Sequence, residues 1–146
     1  MTTTGPVTGA RDLALAHYAA RGVLERVLAR HGMTFQQQVT LRAAVTAETP
    51  QTRAALAAQV QHSLKADPAG IHATLDELLT RHLLAEEGAH LLSTDAGREL
   101  MATIAEETAP ISARVWGGIP AEDLAAAGRV LALVTERANA ELAKLG

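Results

Sequence analysis

The sequence predicts a mainly α-helical chain with one short β-hairpin. Apolar residues recur at three- and four-residue steps through most of its 146 residues. The packing residues are alanine, leucine, valine and isoleucine, with a single Trp, Tyr and Phe, a composition that favours helices over sheets. Turn formers fall where such helices would stop: Gly32, Thr49-Pro50, Asp67-Pro68, Gly88 and Gly117-Gly118. At 48% hydrophobic, a chain of this length has enough apolar surface for one folded core.

Leu13, Ala16, Ala20, Leu24, Val27 and Leu28 mark a long amphipathic helix over 10–31, closed by Gly32, since glycine takes the left-handed conformation without steric cost. Thr34 caps a second helix that carries Val39, Leu41, Ala44 and Val45 to about Ala47. Thr49 to Thr52 reads as a loop, and Thr52 caps a third helix from Arg53 to Leu64 with Leu56, Val60 and Leu64 inward. Asp67 caps a fourth, with Pro68 at its first position, where a missing N–H costs nothing. That helix runs to about His82, with Ile71, Leu75 and Leu78 on its buried side. Leu83 to Leu92 forms a tight hairpin with Gly88 at its tip.

Ser93 or Thr94 caps a fifth helix from Asp95, which Pro110 should kink or split. A last helix opens at Pro120, Glu122 and Asp123 and runs to about Leu145. Its Leu124, Ala127, Leu131, Val134, Ala138 and Leu145 make a narrow seam of coiled-coil type, which predicts a partner helix.

Several classes of function are set aside at this level. Without cysteine there are no disulfides, thiolate metal sites or thiol sensors. Met1 to Gly9 is polar and reads as a disordered tail rather than a signal peptide, and Ile119 to Thr135 is interrupted by Glu122, Asp123 and Arg129, too polar for a bilayer. A cytoplasmic protein with no membrane partner is expected. Glu86, Glu87 and His90, or His17 with His31, lack ligand spacing for a metal. Ser93, His90 and Asp95 are too close in a hairpin to form a catalytic relay, so neither an enzyme nor a cofactor is expected. The net charge is -3, and residues 51–92 set Arg53, Lys65 and Arg81 against Asp67, Asp76, Glu77, Glu86 and Glu87. Four of the 6 histidines, His62, His72, His82 and His90, fall in that stretch.

The order of these elements resembles the MarR family of winged helix-turn-helix regulators. Gly32-Met33-Thr34-Phe35 with Gln38 and Leu41-Arg42-Ala43 resembles the start of that family's second helix. Val60 to Ile71, through Leu64 and Asp67-Pro68, resembles its helix-turn-helix. Leu75-Asp76-Glu77-Leu78 then His82-Leu83-Leu84 is similar to its exit from the recognition helix, with His82 where the family usually has glycine. Leu91 to Arg98 resembles the second wing strand and the helix after it, and Ile119 to Leu124 the start of the last helix. The likeness covers about residues 10–145. Three departures stand out: a short acidic wing, Gln61 where alanine is usual, and a recognition helix poor in serine, threonine and arginine.

The resemblance implies a mainly α winged helix-turn-helix over 49–94, flanked by long dimerisation helices over 10–48 and 95–146. It implies a ligand-responsive repressor, a homodimer on a pseudo-palindromic double-stranded operator. The recognition-helix residues would be Pro68, Ala69, Gly70, His72 and Ala73, with His72 donating to a guanine or phosphate and Ala69 or Ala73 touching a thymine methyl. Arg53, Lys65 and Arg81 would bind phosphates, and His90 is the basic-capable group of the wing. A small aromatic or phenolic acid effector would meet His17, Tyr18, Arg21, Arg42 and Trp116, an arginine serving its carboxylate and the tyrosine a ring hydroxyl. The acidic middle segment leaves as the alternative a winged-helix dimer that binds proteins or ligands and does not read an operator.

Overall fold

The computed structural model describes residues 7–146, so Met1 to Pro6 of the expected tail lie outside the described residues. The elements follow in the order α1 (Ala10–Ala29), α2 (Phe35–Thr46), β1 (Gln51–Thr52), α3 (Arg53–Leu64), α4 (Pro68–Thr80), β2 (Leu84–Glu87), β3 (His90–Ser93), α5 (Asp95–Trp116) and α6 (Ala121–Leu145). The chain forms two compact units, one ending at Ala109 and a second comprising Pro110–Gly146.

Local chemistry sets the boundaries in the first unit. The Gly9 N–H donates to Asp12 Oδ2 at 3.1 Å and opens α1, and Gly32 at φ +63° closes the turn after it. Thr34 and Gln37 cap α2 reciprocally, each side chain accepting from the other's backbone N–H at 3.0 Å. Thr52 Oγ1 accepts from the Ala55 N–H at the start of α3. Asp67 stands before α4, but its side chain makes no capping bond; Pro68 alone provides the start signal. His82 is left-handed at φ +58°, the conformation that suits the glycine of the resembled family at this place.

Leu28, Leu41, Leu56, Ile71, Leu75 and Leu78 are fully enclosed, joined by Val60, Leu84, Leu91 and Ile104. Each such side chain contributes about 1.5–3 kcal/mol through removal from water. Gln61, one of the departures from the family pattern, is exposed. The loop expected before α3 holds a strand: Gln51 and Thr52 pair antiparallel with Leu91 and His90, giving a three-stranded sheet of order β1-β3-β2. Leu84 opposite Ser93 and Glu87 opposite His90 fix the hairpin register.

Of the stripe predicted along α1, Val27 and Leu28 are buried, Leu24 is half-buried and Leu13 is exposed, as are Leu15 and Val23 outside it. Pro110 does not split α5, which continues to Trp116. In the second unit Gly118 at φ +79° follows the end of that helix. No residue of α6 is buried, and Val130, Leu131, Leu133, Val134 and Leu142 of its apolar seam and flanks are exposed.

Candidate nucleic-acid interface

α3, the turn Lys65-Ala66-Asp67 and α4 form a helix-turn-helix seated on the core. Leu56, Ala57 and Val60 anchor the first helix and Ile71, Thr74, Leu75 and Leu78 the second. The turn is tight because Lys65 adopts φ +57° and its N–H donates to the Gln61 carbonyl at 2.8 Å. With one side of α4 buried, helical spacing sends Ala69, Ala73, Asp76 and Thr80 outward, and all four are exposed. Pro68 is exposed, whereas Gly70 and His72 flank this face half-buried.

The cations expected to hold phosphates are largely occupied. Arg53 Nη2 pairs with Asp76 Oδ1 across the helix-turn-helix, and Arg53 Nη1 is buried without a partner. Lys65 Nζ donates to the His62 carbonyl while its side chain remains exposed. Arg81, exposed at the C-cap of α4, donates from Nη1 to the Gly32 carbonyl at 3.0 Å and from Nη2 to the His31 carbonyl at 3.1 Å. It is a tether between α4 and the turn after α1, with its fork already filled. His90 is exposed in β3, between Thr52 and Glu87 on the neighbouring strands. Glu86 and Glu87 are exposed beside Gly88 at φ +60°, so the wing presents negative charge.

Two bridges to α4 had no signal in the sequence. Gln36 Nε2 donates to Thr74 Oγ1 at 3.0 Å, and Gln37 Nε2 donates to Glu77 Oε2 at 2.7 Å. They tie the middle of α4 to the first turn of α2.

The expected effector residues fall in both units. On α1, the His17 and Tyr18 rings stand 6.0 Å apart, both exposed, while Arg21 pairs with Glu25 at 2.7 Å and lies 4.2 Å over the Phe35 ring. Arg42 lines a shallow hollow between α2 and α3 with Thr46, Gln59 and Ser63. Trp116 belongs to the second unit and is exposed. Among the described residues no three His, Asp or Glu side chains are grouped to hold a metal, and no helix is long and apolar enough to cross a membrane.

No family model and no curated protein matches this chain. Solved structures do. Transcriptional regulator PA3341 superposes with a TM-score of 0.71 at 22% identity, over 87% of this chain and 95% of the other. CouR from Rhodococcus jostii RHA1, bound to p-coumaroyl-CoA, gives a TM-score of 0.71 at 19% identity, covering 84% and 88% of the two chains. The Mycobacterium tuberculosis MarR family protein Rv2887 gives 0.68 at 18% identity in its complex with DNA, covering 88% and 98%, and matches also in its complex with p-aminosalicylic acid. The fold is therefore the winged helix of MarR-family transcriptional regulators.

Proposed function

We propose that this chain is a MarR-type transcriptional regulator: a homodimeric, ligand-responsive repressor that binds a pseudo-palindromic operator. The observation that carries the reading is the seating of α4, which is held through Ile71, Leu75 and Leu78 and leaves Ala69 and Ala73 exposed in its first two turns. The N-terminal residues of a recognition helix are those that meet base edges in a major groove. Small side chains there allow close approach, and Ala69 and Ala73 suit thymine methyl groups. Pro68 and Gly70 continue this surface, and His72 at its flank supplies a donor.

Lys65 and His90 are the proposed phosphate contacts, with Arg53 available to DNA only by leaving Asp76. Segments 10–48 and 95–146 are the proposed dimerisation helices around a winged module over 49–94, a division favoured by the exposed apolar residues of α1 and of α6. The proposed effector is a small aromatic or phenolic acid, with Arg21 and Arg42 as carboxylate candidates, His17 and Tyr18 beside the former, and Trp116 as a stacking candidate. The p-aminosalicylic acid carried by Rv2887 supports that class. Such a repressor would act in the cytoplasm.

The acidic wing favours a second reading, a winged-helix dimer that binds a protein or ligand and no operator. A binding titration separates the two, comparing duplex from upstream of the chain's own gene with an unrelated duplex of equal length. The regulator reading expects selective binding of the upstream duplex; absence of retention on either duplex at low salt supports the alternative.

A further inference from the structure

The turn after α1 is tied to two helices at a single residue. The His31 carbonyl accepts from Arg81 Nη2 at 3.1 Å, beside the Gly32 carbonyl that accepts from Nη1 at 3.0 Å. The His31 ring turns the other way, with Nε2 at 3.1 and 3.0 Å from the two carboxylate oxygens of Glu107 on α5. An ionised carboxylate has no proton to donate, so Nε2–H is the donor. Both partners are largely shielded, at 20% and 31% side-chain exposure, so the contact is not an ordinary surface pair. The glutamine bridges hold α4 at Thr74 and Glu77, and Arg81 is the polar tie at its C-terminal end.

We propose that His31 is a positioning residue for the reading helix: Glu107 fixes its ring, which fixes the peptide carbonyls that orient Arg81 and thereby the angle of α4. The inference rests on the DNA-reading function proposed above. A guanidinium fork on two carbonyls has a fixed geometry, so rotation of the turn either carries Arg81 with it or breaks both bonds. A shift of α5 at Glu107 is thus conveyed to α4 without passing through the apolar core.

The test is a double-mutant cycle of Glu107→Ala, Arg81→Met and the pair, read as affinity for a duplex selected by the wild type and for an unrelated duplex. Each single change should lower the ratio of the two affinities about three- to tenfold, and the double should be no worse than Arg81→Met, because both act on one linkage. Glu107→Gln, which keeps an acceptor for Nε2–H, should restore most of the ratio. Losses that multiply, or that fall equally on both duplexes, overturn the proposal. A wild type that binds both duplexes alike overturns the functional reading instead, which is a separate result from a selective wild type with independent variants.

Discussion

Gly97, on the first turn of α5, lies against the Leu83 carbonyl so closely that a Cβ at Gly97 would stand 2.3 Å from that oxygen and 3.3 Å from Leu41 Cδ1. The same carbonyl accepts the Thr94 N–H at 3.1 Å, and Thr94 Oγ1 donates to the His82 carbonyl at 2.7 Å, so the opening of α5 is sewn to the chain leaving α4. Gly97→Ala should therefore destabilise by at least about 1–3 kcal/mol, the usual range for overpacking, since backbone atoms on both sides must move. Gly22→Ala, where an added Cβ meets nothing within 4 Å, should instead be neutral or gain up to about 1 kcal/mol from helix propensity. Urea unfolding midpoints of the two variants check this, and equal midpoints would show that the Leu83 contact relaxes freely.

That contact marks the limit of what the sequence discloses. Gly32, Thr34 with Gln37, Thr52 and Gly88 act through neighbours within four residues, and their helix ends and turn were readable from spacing alone. β1 was missed because a two-residue strand has no periodicity and its partners, Leu91 and His90, are about forty residues away. The candidate site was legible to the same degree: helical spacing assigns Ala69 and Ala73 to the outer face of α4. It cannot tell whether Arg53 and Arg81 are free. Their partners, Asp76 and the carbonyls of His31 and Gly32, lie 23 to 50 residues away and become neighbours only on folding.

The negative charge of the wing, under the proposed function, has a measurable consequence. Glu86→Gln with Glu87→Gln removes two exposed charges that oppose a phosphate backbone, and should raise non-specific duplex affinity at low salt about two- to fivefold while steepening its salt dependence. Anisotropy titrations over a salt series read both quantities. An unchanged slope and affinity would mean that the hairpin stays clear of DNA.

Asp76→Asn should act in the same direction by a different route. It removes a carboxylate from the outer face of α4 and releases Arg53, which stands 34% exposed beside it, toward phosphate. Because the Asp76 side chain is 67% exposed, the pair is screened and the change should cost less than about 1 kcal/mol of folding stability. A loss of duplex affinity in this variant, with stability kept, would show that Asp76 itself contacts the DNA.

The exposed seam of α6 predicts obligate self-association. Sedimentation should return the mass of two chains, and the unfolding midpoint should rise with protein concentration. Leu131→Glu, which sets a charge on a residue 44% exposed in the single chain, should give one-chain mass or non-cooperative unfolding. A wild type that sediments as one chain, with a midpoint independent of concentration, would show that α6 has no such partner.

If the exposed N-terminal half of α4 reads base edges, Ala73→Glu, measured against duplexes selected from a random pool by the wild type, tests it most directly. Ala73 is exposed and outside the core, so the variant should unfold at the wild-type midpoint. The wild type should prefer the selected duplex over unrelated duplex by at least about a thousandfold, the lower range for specific recognition. In Ala73→Glu that preference should fall at least about tenfold, as a buried carboxylate against thymine methyls and phosphates costs on the order of 1–3 kcal/mol. A variant that keeps the wild-type preference for the selected duplex would contradict the assignment of α4 as the reading helix.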